Sequence, residues 1–115
     1  MAPVTPQIIT KVYDLLLYLI PQVSKFPRSQ RYLAGERLGN ISLDVLEMLL
    51  EAVYSREKTI LLERANVKLE TARYYVRLCK DLKLMNLHSY EIISKMINEV
   101  GVQLGGWLKQ QRSRS

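Results

Sequence analysis

Along this chain apolar residues return every three or four positions, and no segment alternates apolar with polar residues for long enough to make a strand. That rhythm matches the roughly 3.6-residue turn of an α-helix rather than the two-residue period of a half-buried strand. In the first segment Ile8, Ile9, Val12, Leu15, Leu16, Leu19 and Val23 share one side, which predicts a helix running to about Ser24. Thr5 followed by Pro6 reads as its start, because proline in a first turn lacks only an N–H that would have no partner there. Pro21 lies inside the pattern and is expected to kink the helix or end its regular part.

The same spacing predicts three more helices. After "KFPRSQR", where Pro27 holds Phe26 extended and Ser29 is placed to cap, Ala34, Leu38, Ile41, Val45, Met48, Leu49 and Ala52 define a second helix over about 30–54. Gly39 and Asn40 weaken it, and a break there with a restart at Ser42 is the alternative. A third helix spans about 58–85, with "NLHS" as its exit and the next cap, and a fourth spans about 89–111 on Ile93, Ile97, Val100, Leu104 and Leu108. Four amphipathic helices with short connections make an all-α, up-down four-helix bundle. At 115 residues the chain is expected to be one domain: an N-terminal segment over 1–7, the bundle over 8–111, and a basic polar tail over 112–115.

The third helix is apolar on two sides. At about 100° per residue, Leu62, Ala65, Leu69, Ala72, Val76 and Cys79 make one arc suited to a bundle core. Ile60, Val67, Tyr74, Tyr75, Leu78, Leu82 and Met85 make a second arc well away from it. Burial against another subunit, through Tyr74, Tyr75, Leu78 and Leu82, is the expectation; a central helix packed on both sides within one bundle is the alternative. On helix four, Gly101 and Gly105 leave room for a close backbone approach beside Trp107, equally suited to core packing and to a subunit contact.

Between the two arcs Arg73, Arg77 and Lys80 form a narrow strip. Like charges so placed repel unless solvent, neighbouring acids or an anionic partner neutralise them, and here Glu70 and Asp81 are the neighbouring acids. Lysine and arginine outnumber acids 17 to 11, a net charge of +6, which favours nucleic acid or another acidic surface as partner. Interleaved tyrosines offer stacking faces for bases. Lys83, Arg28, Arg31, the pair Arg64 and Lys68, and the terminal Arg112 and Arg114 extend the candidate binding set, whereas helix two concentrates acid at Glu36, Asp44, Glu47 and Glu51.

No catalytic constellation emerges. His88 stands alone and lacks partners at ligand spacing, no Glu-x-x-His repeat is present, and Gly105 and Gly106 follow no strand and precede no Lys-Ser or Lys-Thr. No cofactor and no metal are therefore expected. The single cysteine, Cys79, cannot form an internal disulfide and lies on the core arc, which fits a reducing compartment. The apolar run from Val12 to Ile20 is too short to span a membrane, and with no export signal read at its start the cytoplasm is the expected location.

Taken in order, "YDLLLYLIPQVSKFPRSQRY", "ARYYVRLCKDL" and "INEVGVQLGGWLKQ" resemble the accessory variability determinant (Avd) family of diversity-generating retroelements, over about residues 8–112. More distantly, the chain is similar to four-helix-bundle proteins encoded in ribosomal RNA intervening sequences. The markers are the Phe26-Pro27-Arg28 turn, Arg73 and Arg77 around an aromatic pair, and Gly101, Gly105 and Trp107. The resemblance implies a homopentameric barrel of bundles that associates with the element's reverse transcriptase and with nucleic acid, and supports mutagenic cDNA synthesis without being an enzyme. Carried over by position, Arg73 and Arg77 would be the foremost contacts, with Arg28 and Arg31 next. Gly35 and Gly39 depart from the family pattern and put the packing of helix two in question. A bundle of the intervening-sequence type, binding RNA with no polymerase partner, is the alternative.

Overall fold

The computed structural model describes residues 6–114, and among them every regular element is helical. Helix α1 is Gln7–Ser24 and presents Ile8, Val12, Leu15, Leu16, Leu19 and Val23 to the core. Pro6 precedes its first turn, while Thr5 lies outside the described residues. Pro21 does not end the helix, which continues through it to Ser24.

Helix α2 covers 28–54 and starts earlier than Ser29 could cap it, directly after Pro27, whose carbonyl accepts from the N–H groups of Gln30 and Arg31. It is built from Arg28–Gln30, a π-helical turn Arg31–Gly35 closed by the Glu36 N–H donating to the Arg31 carbonyl, and regular Glu36–Tyr54. The weak point is thus the π turn and not Gly39, through which the helix is unbroken. Gly35 explains the displacement: a Cβ there would lie 2.7 Å from Val23 Cγ1 and 3.3 Å from Phe26 Cδ2, so only glycine lets α2 press against the end of α1. A Cβ at Gly39 would meet nothing within 4 Å.

Helix α3, Thr59–Asp81, follows a turn held by Lys58, whose ammonium donates to the carbonyls of Ala52, Val53 and Ser55 at 2.7, 3.2 and 2.6 Å. A cation placed there satisfies carbonyls that the end of α2 leaves open and complements its dipole. α3 ends four residues before the expected Met85, because the Lys83 N–H reaches the Lys80 carbonyl and the Leu84 N–H reaches the Cys79 carbonyl, both at 2.9 Å. This is a Schellman closure, with Lys83 in the left-handed position at φ 63°. Helix α4, Leu87–Ser113, is capped by Asn86, whose side chain accepts from the Ser89 N–H at 2.8 Å. It carries Arg112 as a helical residue rather than as part of a tail.

Neighbours run α1–α2–α3–α4 and back to α1, giving a four-helix bundle of 46 × 21 × 19 Å whose diagonal pairs scarcely touch. All six residues of the first arc on α3 are buried, together with the five apolar positions expected on α4. Each fully buried leucine or isoleucine in this core contributes about 1.5–3 kcal/mol. The few buried hydroxyls are satisfied: Ser42 donates to the Leu38 carbonyl, and Ser89 receives Tyr18 and donates to Gln22. Burial pushes the Cys79 thiol up to about 11, so it stays protonated as a structural side chain.

Candidate nucleic-acid and assembly surfaces

Helix α3 sets the geometry, because its core arc fixes where every other side chain on it must point. The basic strip falls on the side toward α4. Arg73 donates to Asn98 of α4 and, at 3.2 Å, to Glu70 one turn back. Arg77 approaches Asp81 at 3.9 Å, too far for a good hydrogen bond. Lys80 lies 3.4 Å from Asp81 and 4.6 Å above the ring of Tyr90, a cation–π contact with α4. Glu70, Arg73, Tyr74, Arg77 and Tyr90 line a shallow cleft of about 250 Å³. The strip is therefore partly balanced by its own helix, through exposed pairs of the kind worth only about 0.2–1 kcal/mol each. An anion denser in charge than a single carboxylate can displace them.

The other basic candidates do not join this cleft. Lys83 sits in the turn after α3, and Arg28 and Arg31 sit at the start of α2, where the Arg31 guanidinium donates to the Phe26 carbonyl at 3.3 Å. Those three cluster at one end of the bundle, where α1 and α3 finish and α2 and α4 begin. Arg64 and Lys68 turn toward α2, and Lys68 pairs with Asp44 at 3.2 Å. Arg112 and Arg114 lie at the far end, with Arg112 bound to Glu63 of α3 at 3.0 Å. The ten cations are thus one cleft, one end cluster and two outlying pairs.

The second arc of α3 divides in the structure. Ile60, Val67 and Tyr74 are about two-thirds exposed, and Leu78 and Leu82 about half, while Tyr75 is half-buried against the core and Met85 is buried in it. A helix packed on both sides within one bundle is therefore excluded, and Met85 leaves the arc because α3 stops before it. Gly105 has open space where its Cβ would be, whereas Gly101 faces Arg73 and Leu69 at ordinary contact distance; core packing accounts for the second and not the first.

The sequence reading missed Tyr90 and Asn98, whose roles depend on the register of α4 against α3. It also missed an apolar face on α1 and α2, where Tyr13, Leu17, Ile20, Leu43 and Leu50 are exposed. The all-round apolar run "LLLYLI" was the available signal for it. Among the described residues no group of histidine, cysteine and carboxylate side chains could hold a metal ion, and no helix is long and apolar enough to cross a membrane.

Fold and surfaces together define an all-α four-helix-bundle protein with exposed apolar residues on each of its four helices and a basic cleft between two. The family model described as bAvd-like matches residues 7–111, and the chain belongs to that family of accessory proteins of the diversity-generating-retroelement type. A search of the curated proteins finds no match.

Proposed function

We propose that this protein is a non-enzymatic accessory subunit that assembles as a homopentameric barrel and offers its basic surfaces to a reverse transcriptase and to the template RNA. The reading rests on membership of the bAvd-like family, and the observation that carries it in the structure is the division of α3. One side of this helix is core, another is exposed tyrosine and leucine, and between them Arg73 and Arg77 line a cleft with Glu70, Tyr74 and Tyr90, while Lys80 sits over the Tyr90 ring. Guanidinium groups beside exposed aromatic faces suit a phosphate backbone with stacked bases. Holding polymerase and template on one scaffold raises their effective concentration, which supports cDNA synthesis without chemistry by this subunit. Five copies would carry five times +6, or +30, before any partner binds.

The test is the double substitution Arg73→Ala with Arg77→Ala. Helix content and assembled mass stay as in the parent, while capture of a co-expressed reverse transcriptase and retention on RNA fall at least several-fold. RNA retention by the parent weakens steeply with salt, as phosphate contacts require. Unchanged capture and unchanged retention would remove both arginines from the site. RNA retention with no polymerase capture would favour the intervening-sequence reading.

A further inference from the structure

Resting on the RNA reading above, we infer that the α3/α4 cleft seats one unpaired nucleotide, its base stacked on Tyr90 and its phosphate on Arg77, so that this cleft takes single-stranded RNA and not a duplex. Glu70, Arg73, Tyr74 and Arg77 come from α3 and Tyr90 from the neighbouring α4, around a space of about 250 Å³. That is below the roughly 300–1,000 Å³ of pockets that enclose a drug-sized molecule, and it suits one flat base with its sugar rather than a base pair within a helix.

The cations around this space are placed unequally. Arg73 is held on two sides, donating to Asn98 and to Glu70, so its guanidinium is a fixed part of the wall. The Arg77 side chain is 64% exposed and Asp81 stays 3.9 Å away, which leaves its donors open to a phosphate. Lys80 stands 4.6 Å over the Tyr90 ring but does not line the cleft, so it covers a part of the ring that the cleft does not use. Tyr90 also packs partly against the core, which fixes the ring before any base arrives and leaves little rotamer freedom to lose on binding.

A duplex cannot use this arrangement. Its base faces are covered by their neighbours in the stack, and the accessible groove of an A-form helix shows sugar hydroxyls and base edges, not ring faces. It meets only the arginines, and meets them no better than it meets Arg28, Arg64 or Lys83 elsewhere on the surface. A single strand can turn a base onto the tyrosine while its phosphate reaches Arg77, combining stacking with charge. For the proposed role it follows that this cleft holds template while the template is unpaired and lets it go once it is paired with its cDNA.

The experiment compares Tyr90→Leu and Tyr90→Phe with the parent by fluorescence anisotropy, using a single-stranded oligouridine and an RNA–DNA hybrid of the same length. Loss of the ring in Tyr90→Leu is expected to weaken single-strand binding about five-fold or more, as the stacking of one base on an aromatic ring requires, and hybrid binding by less than about two-fold. Tyr90→Phe keeps the ring and is expected to bind both probes as the parent does. The salt dependence of single-strand affinity stays the same in Tyr90→Leu, since no phosphate contact has gone. Helix content by circular dichroism stays at the parental level; if Tyr90→Leu loses it, Tyr90→Met, which fills the same space flexibly, asks the same question. No loss on the single strand, an equal loss on the hybrid, a flatter salt dependence, or a Tyr90→Phe as weak as Tyr90→Leu overturns the single-nucleotide site and leaves RNA binding by the protein standing. A parent chain that retains neither probe overturns the RNA reading as well.

Discussion

Lys83 occupies a backbone region that glycine reaches without steric cost and that other residues rarely adopt. It closes α3 through the hydrogen bonds from Lys83 to Lys80 and from Leu84 to Cys79 that a glycine at this position ordinarily provides. A lysine here sacrifices about 0.5–1 kcal/mol of stability, and what it supplies is a cation at the same end of the bundle as Arg28 and Arg31. Lys83→Gly is therefore expected to raise the urea midpoint by an amount equivalent to about 0.5–1 kcal/mol and to reduce RNA retention at the same time. A lowered midpoint would mean that the lysine side chain itself stabilises the turn. In the sequence Lys83 read only as one more charge, because nothing in its neighbours announces that a helix predicted to reach Met85 stops at Asp81.

At the scale of elements, the two glycines of α2 look interchangeable in the sequence and differ in the structure. Gly35 lies in the π turn under Val23 and Phe26, while Gly39 lies in regular helix facing open space. Gly35→Ala is expected to cost about 1–3 kcal/mol, since the clash at 2.7 Å involves a branched side chain held by the core. Gly39→Ala is expected to stabilise by up to about 1 kcal/mol through helix propensity. Paired thermal melts check both, and equal effects in the two variants would contradict this division of roles. What periodicity can specify, it specified well: the four helices and the buried arcs of α1, α3 and α4 follow from three-and-four spacing alone. Helix ends did not follow, because they depend on contacts between elements. Gly35 against Phe26 and Lys58 reaching back to the end of α2 are invisible to a one-dimensional pattern, whereas the cap expected within "NLHS" is there, at Asn86. The basic strip was legible for the same reason as the core arc beside it, whereas its partners Tyr90 and Asn98 belong to another helix.

At the scale of the whole molecule, an excess of 17 basic over 11 acidic residues favours any polyanion over the whole surface, so an effect of charge on the proposed RNA binding would not by itself locate a site. Two substitutions that change net charge equally, from +6 to +7, separate the global field from the cleft. Glu70→Gln removes the carboxylate 3.2 Å from Arg73 and frees that guanidinium in the α3/α4 cleft. Glu57→Gln removes an exposed carboxylate in the turn before α3, at the opposite end of the bundle from Lys83. If a general field governs association, the two variants bind single-stranded RNA alike. Because Glu70 partly balances Arg73 in the cleft, Glu70→Gln is expected to tighten binding about two- to five-fold, the range set by the weak exposed pair it releases, and Glu57→Gln by less than about two-fold. Titrations by fluorescence anisotropy at one fixed salt concentration read the difference directly. Equal gains would move the RNA contact away from Arg73 and return it to the surface as a whole.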